Sequence, residues 1–261
     1  HTLLGALDAL GGVRGLDTLD LACGYGYNTR LLARGGARRA VGVDISEEMI
    51  RLARAHGVIG GNGVGALEGA VGAVLPVRGA GAGAPAPTGA AAGTGTPQGG
   101  AAEGRPGEAA ARAEGRPGEA AAREAAPGEA ASIEYVVADA AKLPQMGPFD
   151  LATAVYLFNY ATDRSALHAM FRSIRANLRD GGRLLAIVPN AGAFPNVDWS
   201  PYGVRIVDRV HEGDAPLLKA QFLTQPPADF EFREWAHADF AEAAVEAGFS
   251  TVGWQPNRTP P

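Results

Sequence analysis

Apolar residues recur along this chain in short blocks, separated by segments that carry a single apolar face. Residues 16–22 (LDTLDLA), 39–43 (RAVGV), 133–137 (IEYVV), 149–156 (FDLATAVY) and 183–188 (RLLAIV) are short and mostly Val, Leu, Ile or Ala. Blocks of that length read as buried strands. The block at 149–156 has few polar groups, as expected when both faces of a strand are covered. Residues 3–10, 27–34, 46–55, about 163–178 and 237–247 have helical spacing instead. Their ends carry the expected signals: Gly35-Gly36 and Gly248 as stops, and Ser46 followed by Glu47 and Glu48 as a start. Asp163 or Ser165 is placed to cap the helix that follows. Asp180-Gly181-Gly182 is read as a turn into the strand at 183–188. Strands alternating with helices predict an α/β, Rossmann-like, doubly wound and mostly parallel sheet. The last third departs from that rhythm. Residues 203–209, 217–224 and 229–235 read as strands without intervening helices, which predicts an antiparallel C-terminal cap, and a final strand follows at 249–254.

Composition divides the chain. From 60 to 131 it is mostly Gly, Ala, Pro, Arg and Glu, with no aromatic residue. The unit AEGRPGEAAAR stands at 102–112 and again at 113–123. So little bulky apolar area does not offset the entropy of ordering, and the segment is read as a long disordered low-complexity insert. One domain is therefore expected from 1–59 and 132–261, interrupted by the insert.

Charge and cysteine content narrow the chemistry. The formal net charge is -5 and no basic run occurs, which speaks against a nucleic-acid partner. Cys23 is the only cysteine, so neither a disulfide framework nor a cysteine metal cluster is expected, and no metal is assigned. No apolar run approaches the ~20 residues of a membrane helix. A cytoplasmic setting is the expectation. His1 is not a natural start, so the N-terminal helices are expected to be cut short.

The stretch TLDLACGYGYNTRLL, 18–32, carries the densest chemical signal. A strand runs into Cys23-Gly24-Tyr25-Gly26 and then into a helix N-terminus, an arrangement whose backbone N–H groups face a polar ligand. Thr29 stands where a dinucleotide fingerprint has its third glycine, and Asp20 ends the strand. An acid there suits a cation better than a pyrophosphate, which counts against a NAD(P)-dependent oxidoreductase. Three further features fall at strand ends, where open α/β sheets bind ligands. Asp44 is placed to accept from both hydroxyls of a ribose. Asp139-Ala140 suits an adenine edge. Tyr156, Asn159 and Tyr160 are placed to line the reacting end and position an acceptor.

These residues carry a family resemblance. Asp20, Gly24, Gly26 and Thr29 match the first motif of the class I S-adenosylmethionine (SAM) methyltransferases. VGVDISEEMIRLARA, IEYVVADAAKL, FDLATAVYLFNYA and LRDGGRLLAIVPN resemble the later motif regions of the small-molecule members. VYLFNYA, the later PYG and the helix ending EAGF are most similar to toxoflavin-biosynthesis-type methyltransferases. The resemblance implies SAM as cofactor, with Asp44 on the ribose, Asp139 on the adenine amino group, and Met49 against the adenine ring. Gly24, Gly26 and nearby backbone would hold the methionine part, and Asp20, Ala22, Cys23, Thr29, Ile45, Ala140 and Tyr156 are further expected cofactor contacts. It implies transfer of a methyl group to nitrogen or oxygen of a small planar metabolite; the alternative is a non-catalytic SAM-binding module. Trp199, Tyr202, Phe222 and Trp235 either form an aromatic lid over that substrate or are the core of the late antiparallel sheet. His211 and His237 are further candidates for a base.

Overall fold

The computed structural model describes residues 2–58, 72–79, 131–189 and 198–256. Strand β1 (Asp17–Leu21) pairs in parallel with β2 (Arg39–Asp44), and the helix between them is α2 (Tyr27–Arg34). Helix α1 (Thr2–Ala9) precedes β1, and α3 (Glu47–Val58) follows β2. Strand β4 (Ser132–Val137) adds to the outer edge of β2. The chain then returns to the other side of β1, where β5 (Phe149–Val155) and β6 (Leu178–Pro189) continue the parallel sheet. The reversal between β1 and β5 splays the connections apart and leaves a crevice at the carboxyl ends of the strands.

Two layers of helices cover the sheet. Leu3, Ala6 and Leu7 of α1 pack with Leu32, Leu151, Leu185 and Ile187 on one face. On the other, Phe171 and Ile174 of α4 (Arg164–Ala176) and Phe240 of α5 (His237–Glu246) pack on Leu19, Leu21 and Phe149. Phe158 stacks on Phe171 with ring centroids 4.3 Å apart. Each such fully buried side chain contributes roughly 1.5–3 kcal/mol, so these faces dominate the fold. Asp163 caps α4 by accepting from the Ala166 amide at 2.8 Å, and Ser46 caps α3 by accepting from Met49 at 3.3 Å.

Two expectations change. The turn expected at Asp180-Gly181-Gly182 is a bulge inside β6: the register shifts between the Phe149–Leu178 and Leu151–Arg183 pairs, and Gly181 takes a left-handed φ of 72°. A bulge inserts residues without ending a strand. More consequentially, the expected insert is not wholly outside the sheet. Residues Gly72–Gly79 form β3, antiparallel to β6 from Gly72–Pro189 to Arg78–Arg183. Strands β10 (Phe249–Val252) and β11 (Gln255–Pro256) pair with its other edge. The octet GAVLPVRG is a cluster of Val and Leu within the insert, short enough to be lost in the surrounding Gly/Ala composition. The rest of the insert lies outside the described residues.

The antiparallel cap is present. Strands β7 (Val204–Val210), β8 (Leu217–Phe222) and β9 (Ala228–Arg233) form a separate three-stranded sheet. Its core is Trp199, Val204, Leu218, Ala220 and Phe232.

Candidate active site

The chain leaves β1 through backbone that L-residues seldom adopt. Ala22, Gly24 and Gly26 have φ of 53°, 53° and 81°. Among the described residues, the only non-glycines with positive φ are Ala22 and Tyr156. They stand at the carboxyl ends of β1 and β5, the two neighbours between which the chain reverses. Strained backbone of this kind clusters at ligand sites. A Cβ added to Gly24 would meet nothing within 4 Å, so the outer surface of the turn is open to close approach. One on Gly26 would fall 2.4 Å from the Tyr135 hydroxyl, so that glycine is needed for internal packing as well as for its φ.

Asp20 does not face a ligand. It is 1% exposed beneath the turn, and its carboxylate accepts from Thr29 at 2.7 Å and Thr153 at 2.9 Å. Loss of hydration pushes its pKa up to about 6, against the pull of those hydroxyls. Thr29 occupies its position to satisfy that acid and is itself fully buried. The Cys23 side chain turns away into a cluster with Ile50, Ala53 and Tyr135, and burial pushes its thiol pKa well above the ordinary range. The expectation of direct contact is thus corrected for the side chains of Asp20, Cys23 and Thr29: they hold the turn from below.

Asp44 joins the first two loops. Its carboxylate accepts from the Gly24 amide at 2.8 Å and from the Ser46 amide at 2.9 Å. Each oxygen keeps a further lone pair for another donor. Beside it, Ile45 is 72% and Met49 40% exposed. Two large apolar side chains left open next to a carboxylate form a surface suited to the face of a flat ring. At the end of β4, Asp139 caps a short 3-10 turn by accepting from Ala141 at 2.9 Å, and Ala140 is buried there.

An apolar cavity adjoins this edge. Its floor is Tyr156, Asn159, Tyr160 and Pro189, from the ends of β5 and β6. Its roof is Trp199 with Val204, Phe222, Phe230 and Phe232 of the small sheet. Burial pushes the Tyr160 hydroxyl pKa up, with a smaller push from the Asp44 charge. Burial raises the Tyr156 hydroxyl pKa as well.

Trp199 and Phe222 therefore belong to both alternatives left open by the sequence: they are core of the small sheet and wall of the cavity. Trp235 does neither. It is 1% exposed in the core of the main sheet. The side chain of Tyr202 lies outside the described residues. Phe230 and Phe232 escaped notice, although their alternation in ADFEFR places both on one face of β9. Neither histidine reaches the site: exposed His211 contacts Arg209 at 3.1 Å, and His237 stacks on Trp254.

Residues 18–76 match the methyltransferase domain family. The PH0226 protein of Pyrococcus horikoshii superposes with a TM-score of 0.54 at 18% identity, over 94% of this chain and 78% of that one. A SAM-dependent methyltransferase of Clostridium acetobutylicum gives 0.52 at 15% identity, over 94% and 77%. The sugar N-methyltransferase KedS8 of a Streptoalloteichus species gives 0.51 at 14% identity, over 95% and 76%. The fold is that of the class I SAM-dependent methyltransferases. The domain match and the fold together support an enzyme of that type, with SAM as its cofactor. No curated protein matches the chain.

Proposed function

We propose that this protein transfers the methyl group of SAM to a nitrogen or oxygen of a small planar metabolite. The observation that carries the reading is the pair of left-handed residues, Ala22 and Tyr156, flanking the crevice between the open turn and the aromatic cavity. SAM supplies, when bound, a methyl already activated on a cationic sulfur. Asp44 accepts from the ribose hydroxyls. Asp139 takes the adenine amino group, while Ile45 and Met49 cover the ring. The backbone of Ala22 to Gly26 holds the amino-acid end, and buried Asp20 adds a negative field favourable to a cation.

Tyr156, Asn159 and Tyr160 separate the cofactor edge from the cavity and hold the acceptor atom in line with the bond to be broken. Such a reaction is largely positioning and exclusion of water. With SAM bound, the acceptor's lone pair would take up the methyl group, the departing neutral thioether would keep the old bonding pair, and the acceptor's proton would pass to water at the half-exposed Tyr160. The flat aromatic roof and the likeness of VYLFNYA, PYG and EAGF to toxoflavin-type methyltransferases support a planar acceptor. The net charge of -5 supports a small molecule rather than nucleic acid, and a cytoplasmic setting accords with a single cysteine. Residues 1–59 and 132–261 make up the domain, with Gly72–Gly79 added.

Calorimetry with SAM, followed by turnover of labelled SAM against a panel of planar heterocycles, tests the proposal. SAM binding with methylation of at least one planar N–H or O–H compound is expected. SAM binding without turnover of any acceptor would favour a non-catalytic binding module, and absence of SAM binding would overturn the reading.

A further inference from the structure

Four buried side-chain polar atoms lack a hydrogen-bond partner among the described residues, and two of them belong to residues lining the same cavity. One is Oδ1 of Asn159, a residue 4% exposed on the floor; the other is Nε1 of Trp199, 8% exposed in the roof. One is an acceptor and the other a donor. Unpaired buried groups of this kind are costly, and a ligand filling the cavity could satisfy these two. The amide of Asn159 turns about its last side-chain bond at little cost, so its oxygen can address the cavity.

Among the described residues the remaining walls are apolar or aromatic, and no charged side chain lines the cavity. Phe222 and Phe230 stack at 4.1 Å and 17°, and Phe230 and Phe232 lie 18° from parallel. Such walls accept a flat face. They reject an ion, which would lose its hydration without a counter-charge, and a polyol, most of whose hydroxyls would be left unpaired.

Resting on the methyltransferase reading, we propose that Asn159 and Trp199 together determine acceptor specificity. The acceptor they select is an uncharged, flat ring system with a ring N–H or O–H for Asn159 and a separate carbonyl oxygen or ring nitrogen for the Trp199 indole N–H. Both groups act by touching the substrate; neither takes up a proton.

The test uses the whole chain saturated with S-adenosylhomocysteine and four probes measured by calorimetric competition. Quinolin-2-one carries both groups, quinoline lacks the N–H, quinoline-2-carboxylate adds a charge and glucosamine is a polyol. Quinolin-2-one is expected to bind about tenfold tighter than quinoline, the effect of one or two net hydrogen bonds. Asn159→Leu should erase most of that ratio, and Trp199→Phe, which takes the N–H from the acceptor atom both neutral probes carry, should weaken both several-fold; SAM affinity should stay within about twofold in each, since neither residue is assigned to the cofactor. Asn159→Ser serves if the leucine variant does not fold, and the wild-type ratio alone decides if none does. Equal binding of quinolin-2-one and quinoline, or tighter binding of the carboxylate or the sugar, overturns the proposal. Asn159→Leu weakening both neutral probes equally, or Trp199→Phe leaving both unchanged, also overturns it. Failure of the wild type to bind SAM, measured in parallel, would instead sink the methyltransferase reading.

Discussion

The two halves of the crevice are built by opposite means. The proposed cofactor edge is made of polar groups and backbone set by sequence neighbours: Gly24 and Gly26 four to six residues after Asp20, with Asp44 at the end of the next strand. The proposed acceptor cavity is made of aromatic surfaces from a floor at 156–160 and a roof spread over 199–232. Backbone amides and carboxylates bind a ligand of fixed shape through directional bonds. Apolar walls are non-directional and adapt by exchange of side chains. The difference suggests an enzyme whose cofactor grip is rigid and whose acceptor range is set by a few side chains on a separate sheet.

Mutations that act on one half alone sharpen that contrast. The largest expected effect is at Gly26. Its left-handed φ and the clash of an added Cβ with Tyr135 should make Gly26→Ala destabilise the fold by about 2–4 kcal/mol. A Tyr135→Ala background should recover part of that loss, and denaturant melts of the double-mutant cycle measure how much. Additive losses would mean the clash is not the cause.

Next is Asp20. Its folded pKa of about 6 exceeds the ordinary 3.8, so the folded state holds the proton more tightly. The stability this confers is fully present below the ordinary value and lost as pH rises through about 6. Asp20→Asn should therefore be more stable than the parent by up to about 3 kcal/mol at pH near 7, with no advantage below a pH of about 4. Melts across that range check the sign; an advantage that grows on acidification would contradict the burial cost.

Asp44→Ala should weaken SAM binding by about 1.5–3 kcal/mol, the loss of hydrogen bonds to a charged group, while leaving affinity for an acceptor analogue little changed. Calorimetry with each ligand separately tests this, and equal losses for both would break the two-halves picture. Phe222→Ala should do the reverse, costing about 1 kcal/mol in acceptor binding through lost stacking, with SAM affinity intact.

The smallest effect concerns the insert. Replacing 80–130 while keeping Gly72–Gly79 should leave the melting temperature and SAM affinity nearly unchanged. The replacement needs length, because β3 and β4 stand five strand spacings apart, about 24 Å, which a Gly/Ser link spans with ~20 residues. Replacing 62–130, which also removes β3, should lower the melting temperature markedly, because β6 loses its antiparallel neighbour and β10 its partner.

Much of this was legible locally. The five parallel strands, the caps at Ser46 and Asp163, and the placing of Gly24, Asp44 and Asp139 at strand ends all follow from short-range periodicity and from rules on where open sheets bind ligands. The site residues separated less well. Asp20 and Thr29 read as ligand contacts because the motif names residue types without depth, and only packing shows that they lie beneath the turn. Trp199 and Trp235 are both late tryptophans in similar surroundings, yet one lines the cavity and the other fills the main core.

The sequence alone determined the alternation of strands and helices, the glycine turn and the acids at the strand ends, because each depends on interactions within a few residues. The tertiary structure decided what depends on distant segments meeting. It brought Asp20 to Thr153, closed an aromatic roof over Asn159, and paired Gly72–Gly79 with β6. Strand pairing and burial of this kind carry little trace in local composition, since a short apolar octet becomes a strand only where an unpaired sheet edge is there to receive it.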